Sequence, residues 1–275
     1  MTSLAVAAVL GAAILHASWN ALLRGRGDRL NSITVMSMVS ALTGAVAVCL
    51  LPHPAPASWP FLALSVVLQT GYCLTLVRAY RDGMLAEIYP IARGSSPMLV
   101  TLGAFVLAHE RLSLWALAGV ALVSAGIAGV ALGRGRPKAG ALAAAVATGG
   151  LIASYTVSDG FGGRASGAPL AYAGWLFLLQ GAVMPFAYFA LRRRWPTIGR
   201  DGDTAKSAIG GVLTVVAYGV VIWALSIAPM GQVSALRETG ILFAMLIGVV
   251  FLKERPSRRQ VLAAAMIAAG AALLA

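Results

Sequence analysis

The chain has 275 residues, of which 59% are hydrophobic and 11% charged, and a formal net charge of +12. A soluble domain carries about 25% charged residues, so this composition excludes an ordinary water-soluble core and fits a chain whose outer surface lipid also covers. The basic excess sits in short connections between apolar runs and lacks interleaved aromatics, which excludes a nucleic-acid surface.

A helix needs about 20 apolar residues to cross the hydrocarbon core. Read with that ruler, the chain predicts ten transmembrane helices at about 2–23, 31–51, 59–78, 83–107, 112–132, 139–158, 170–191, 207–227, 230–252 and 257–275. The first run lacks a basic flank and a cleavage site, so it reads as a retained helix. Within it, His16 and Asn20 are four apart and share a face beside Trp19. Cys49 and Cys73 lie in apolar runs and read as small buried hydrophobes, with no disulfide framework.

The fourth run holds Arg93 near its middle, where a cation costs at least about 2.5–3.5 kcal/mol and should face the bundle interior. Pro90 and Pro97 bracket it, predicting a kink there, with Tyr89, Ser95 and Ser96 lining the disturbed stretch. Glu87 lies one turn into the same run. The Arg- and Gly-rich linker at 133–138 divides the spans five and five.

Shifting the sequence by 144 residues places Arg93 on Arg237, Ser95 on Thr239, and Glu110-Arg111 on Glu254-Arg255. The chain is therefore expected to be all-α and integral to the membrane, with residues 1–133 and 139–275 as two five-helix repeats. Because five is odd, the repeats must insert in opposite orientations. The ninth run has no proline at the equivalent positions and is expected to be straighter than the fourth. Arg237 and Glu238 are adjacent there and, on a regular helix, diverge by about 100°. Asp159 reads as a charge at the edge of the sixth span. Of the 21 Lys and Arg, 17 fall in odd-numbered loops, which places those loops in the cytoplasm and both termini outside.

The stretch Leu15-His-Ala-Ser-Trp-Asn-Ala-Leu-Leu-Arg24 resembles the first helix of EamA-type members of the drug/metabolite transporter superfamily. The run from Ala79 to Pro97 and the Glu-Arg pairs after the fourth and ninth spans resemble the same family. The resemblance implies a ten-helix secondary transporter in a bacterial-type inner membrane, with export the common direction. Such proteins usually keep both termini in the cytoplasm, and here the charge count argues otherwise.

The expected function is transport of a small organic metabolite, such as an amino acid or related organic anion, by alternating access between the repeats. The alternative is a flippase, or flippase subunit, for a lipid-linked substrate. Candidate substrate contacts are Arg93, Arg237, His16, Trp19, Asn20, Tyr89, Ser95, Ser96, Tyr72, Tyr155, Trp175 and Tyr218. Glu238 and Glu87 are the candidates for proton coupling. Nothing reads as a catalytic set, a metal site or a nucleotide loop, so no cofactor is expected. The expected partners are the small solute and the lipid bilayer, with a homodimer left open.

Overall fold

A computed structural model describes residues 1–22, 28–81, 85–132, 139–199, 202–253 and 255–275. These residues form α1 (Ser3–Leu22), α2 (Arg29–Leu50), α3 (Trp59–Arg81), α4 (Leu85–Ala108), α5 (Leu114–Leu132), α6 (Ala139–Ser166), α7 (Pro169–Arg192), α8 (Gly202–Ile227), α9 (Met230–Arg237), α10 (Gly240–Leu252) and α11 (Arg258–Leu274). A one-turn 3-10 helix at Pro56–Ser58 leads into α3.

Local chemistry sets the ends. Asp28 accepts from the Leu30 and Asn31 amides at the start of α2. Ser257 and Gln260 close a reciprocal capping box on α11. Eight stretches are long and apolar enough to cross a bilayer, and α9 with α10 together make one of them. The remaining two passes are the shorter apolar helices α5 and α11. Leu102, Phe105, Val106, Leu114, Trp115 and Phe251 are exposed, as side chains facing lipid are. Among the described residues the protein is all-α, and it is an integral membrane protein.

The packing is reciprocal between equivalent passes. α2 lies on α7 and α5 on α11, while α1 against α8 mirrors α6 against α3. This is the pairing that two five-pass repeats related by a pseudo-twofold axis would give. Small residues make the close contacts. A methyl group on Gly270 would lie 2.7 Å from the Gly119 carbonyl oxygen, and one on Gly119 would lie 2.9 Å from the Gly270 carbonyl oxygen. On the other flank, a methyl on Gly44 would meet the Gly174 carbonyl oxygen at 2.6 Å. With no Cβ in the way, the backbones themselves touch.

Two expectations are corrected here. The ninth pass is broken, not straighter: α9 ends at Arg237 and α10 begins at Gly240, with tight turns from Glu238 N–H to Ala235 O (3.1 Å) and Thr239 N–H to Leu236 O (3.1 Å). A proline is one way to interrupt a helix. Another is a buried charged pair beside a glycine pressed on a neighbour, as Gly240 is on the Ala13 carbonyl of α1. The sixth pass also runs eight residues further than expected, to Ser166. Its glycine-rich stretch at 160–163 continues the helix as a packing face, with Gly162 under Tyr172 and Gly160 under Met230.

Candidate functional site

The two arginines meet. Arg93 on α4 and Arg237 at the end of α9 are both buried, and both reach one carboxylate oxygen. Arg93 Nη1 donates to Glu238 Oε1 at 3.0 Å, and Arg237 Nη2 lies 3.4 Å from the same atom. The divergence expected of Arg237 and Glu238 does not occur. Glu238 is the cap at which the helix leaves its regular spiral, and its carboxylate turns back under Arg237.

Arg93 Nη2 donates to His16 Nε2 at 2.7 Å. An arginine has no acceptor, so the His16 ring is neutral with its proton on Nδ1. Trp19 packs edge-on against that ring at 5.0 Å. Arg93 Nε, Arg237 Nε, Glu238 Oε2, Ser234 Oγ and Trp19 Nε1 are buried and use none of their hydrogen-bonding capacity on described residues. Buried polar atoms in that state are uncommon; Arg93, Arg237 and Glu238 contribute three of them, and Ser124, Tyr188 and Thr214 hold others elsewhere in the bundle.

Aromatic rings surround the arginines. The Arg93 guanidinium carbon is 5.6 Å from the Tyr89 ring centre, and that of Arg237 is 6.0 Å from Tyr218. Tyr72, Tyr155 and Tyr218 follow one another edge to face, with centroids 5.9 and 6.3 Å apart.

Other expected contacts lie differently. Asn20 turns its amide back to the His16 carbonyl. Ser95 donates to the Ala92 carbonyl and Ser96 to the Arg93 carbonyl. The latter is the carbonyl whose helical donor Pro97 removes, so Ser96 repairs the proline's damage. Trp175 is not at the arginines. It packs edge-on against Trp59 (5.0 Å) and at a tilt against His53 (6.1 Å) in an aromatic group near the start of α3. The Glu87 side chain lies outside the described residues, as does Glu254.

Residues 139–275 match the model described as the EamA-like transporter family. Through this half, the chain belongs to the EamA-like transporter family. EamA-like proteins of this kind are membrane transporters of drug/metabolite type. One solved structure, described simply as a crystal structure of a protein, shares the fold with a TM-score of 0.79. It is 19% identical and covers 98% of this chain and 95% of its own. No curated protein matches in sequence.

This EamA-like bundle holds a second polar centre that the sequence reading misplaced. Asp159 is fully buried and lies within α6, seven residues before its end at Ser166, not at a helix end. Its Oδ2 accepts from Tyr218 Oη at 2.6 Å and Gln69 Nε2 at 3.3 Å, and its Oδ1 accepts from Tyr172 Oη at 3.1 Å. The available signal was the four-residue spacing from Tyr155, which places both on one face of a helix that continues past residue 158. A third centre joins loop ends. Arg164 pairs with Glu110, donates to the Leu225 (3.1 Å) and Ala228 (3.0 Å) carbonyls, and Glu110 accepts from the Met230 amide at 2.8 Å. These bonds satisfy the end of α8 and the start of α9.

Proposed function

We propose that the protein carries a small organic metabolite bearing a carboxylate, an amino acid or related organic anion, between its two five-pass halves, residues 1–133 and 139–275. The observation supporting this is the convergence of Arg93 and Arg237, one from each half, on a single internal carboxylate at the break of the ninth pass. Guanidinium groups match carboxylate geometry. Glu238 then serves as the resident counter-ion, holding the arginines until a substrate carboxylate takes its place. His16 orients Arg93, and Tyr72, Tyr89, Tyr155 and Tyr218 form the wall for the rest of the solute.

The placement of the break supports the same reading. Carriers built from inverted repeats bind substrate where half-helices end near the midplane. Rocking of one half against the other then exposes the site to each side in turn. Loop charge supports a topology with both termini outside, in a bacterial-type inner membrane. Export is the direction the family resemblance implies.

The test is a thermal-shift panel of amino acids, organic acids and phosphonates on purified protein, followed by uptake into proteoliposomes. A ligand of the native state raises the melting temperature by mass action. Arg93→Gln should abolish that rise and the transport while leaving expression intact. Undiminished transport by Arg93→Gln would refute the reading.

A further inference from the structure

Four charged residues are buried among the described residues: Arg93, Arg237, Glu238 and Asp159. With His16 neutral, their charges cancel. Glu238 is held by both guanidiniums, whereas every group that donates to Asp159 is uncharged: Tyr218 from α8, Tyr172 from α7, and Gln69 and Ser65 from α3. Ser65, also buried on α3, lies next to Gln69 and accepts from it. Tyr155 is on the same helix as Asp159, one turn away. Arg237 is the cation on this side, with its guanidinium carbon 6.0 Å from the centre of the Tyr218 ring whose hydroxyl donates to Asp159.

A monoanion entering at the arginines leaves this interior with one uncompensated negative charge. Bare charge at this depth is costly, so the bundle must take up a cation with it. Glu238 is a poor acceptor for a proton because, with the anion bound, two guanidiniums still face two carboxylates, Glu238 and the solute's, and that set is already charge-balanced. His16 is also poorly placed, since Arg93 donates to its Nε2. Asp159 abandons no contacting cation when protonated, and a proton needs no cavity.

We propose that Asp159 takes up one proton whenever an organic anion occupies the Arg93–Arg237 site, so that anion and proton move together and the cycle is electroneutral. The step transfers one proton from solution to the Asp159 carboxylate as one monoanion binds; no other bond changes. Tyr218 links the two events. It donates to the charged Asp159, and it must release or reverse that hydrogen bond when Asp159 becomes an acid. The inference rests on the substrate reading above, so its test has one arm that needs no substrate.

In the first arm, sodium benzoate is titrated into the purified full chain by calorimetry, in buffers of differing ionisation enthalpy. Wild type should take up about one proton per benzoate bound, and benzoate affinity should rise as pH falls, on the order of tenfold per unit at most. Asp159→Asn should bind benzoate with uptake near zero, and Asp159→Glu and Glu110→Gln should retain uptake. Undiminished uptake by Asp159→Asn overturns the proposal.

In the second arm, infrared difference spectra follow an acid-to-alkaline titration without ligand. The expected result is a carboxylic-acid C=O band that Asp159→Asn removes and Tyr218→Phe shifts. If the wild-type and Asp159→Asn spectra are identical, or Asp159→Asn does not fold and Tyr218→Phe leaves the band unmoved, the proposal is overturned. Absence of benzoate binding with the infrared result intact counts against the substrate reading alone, and the proton assignment to Asp159 stands.

Discussion

Tyr218 donates its phenolic hydrogen to Asp159 across 2.6 Å, tying α8 to α6 in the bundle interior. A hydrogen bond to a charged group contributes about 1.5–3 kcal/mol. Tyr218→Phe should therefore lower the melting temperature in detergent. In combination with Asp159→Asn it should cost less than the sum of the two single changes, because the partners share one bond. Additive losses in that double-mutant cycle would mean the bond contributes nothing.

Glu238 is the acceptor for both arginines, so Glu238→Gln leaves two buried cations sharing a neutral amide. Removing one partner of a buried ion pair costs about 3–5 kcal/mol. The variant should unfold at markedly lower temperature. Benzoate should stabilise it more than it stabilises wild type, because a carboxylate supplied from outside no longer competes with an internal one. Equal benzoate shifts in both proteins would count against the displacement of Glu238 by substrate.

Glycine spacing makes its own prediction. Gly270→Ala and Gly119→Ala each place a methyl group within 2.7–2.9 Å of backbone oxygen. Overpacking of this kind costs about 1–3 kcal/mol. Gly129→Ala meets nothing within 4 Å and is the control. Thermal unfolding should rank Gly129→Ala near wild type and the other two well below it.

Topology is checked by labelling intact cells with a membrane-impermeant maleimide, in a background with Cys49→Ala and Cys73→Ala. Thr2→Cys and Ala275→Cys should both label, and Arg194→Cys should not. Protection of both terminal positions would reverse the orientation drawn from loop charge.

The spans were legible because lipid demands long apolar runs, and nothing else in the chain imitates them. The shared register of Arg93 and Arg237 was legible because an intramembrane cation is conspicuous at any position. Two features of the site were not. Arg237 and Glu238 diverge on any regular helix, and they converge only because the chain leaves helical geometry between α9 and α10, where no proline marks the break. Asp159 sits next to a glycine run that resembles a loop. Its burial depends on Tyr172, Tyr218 and Gln69, which come from three other helices and share no sequence spacing with it.

The glycine contacts carry a mechanical consequence. Where Gly119 meets Gly270, and where Gly44 meets Gly174, neither partner brings a side chain of its own, and backbone oxygen lies within methyl reach of backbone. Such seams can roll but cannot part without losing backbone-to-backbone contact along their length. If the proposed alternation of the two halves turns about these seams, a short cross-link placed across one of them should leave transport intact.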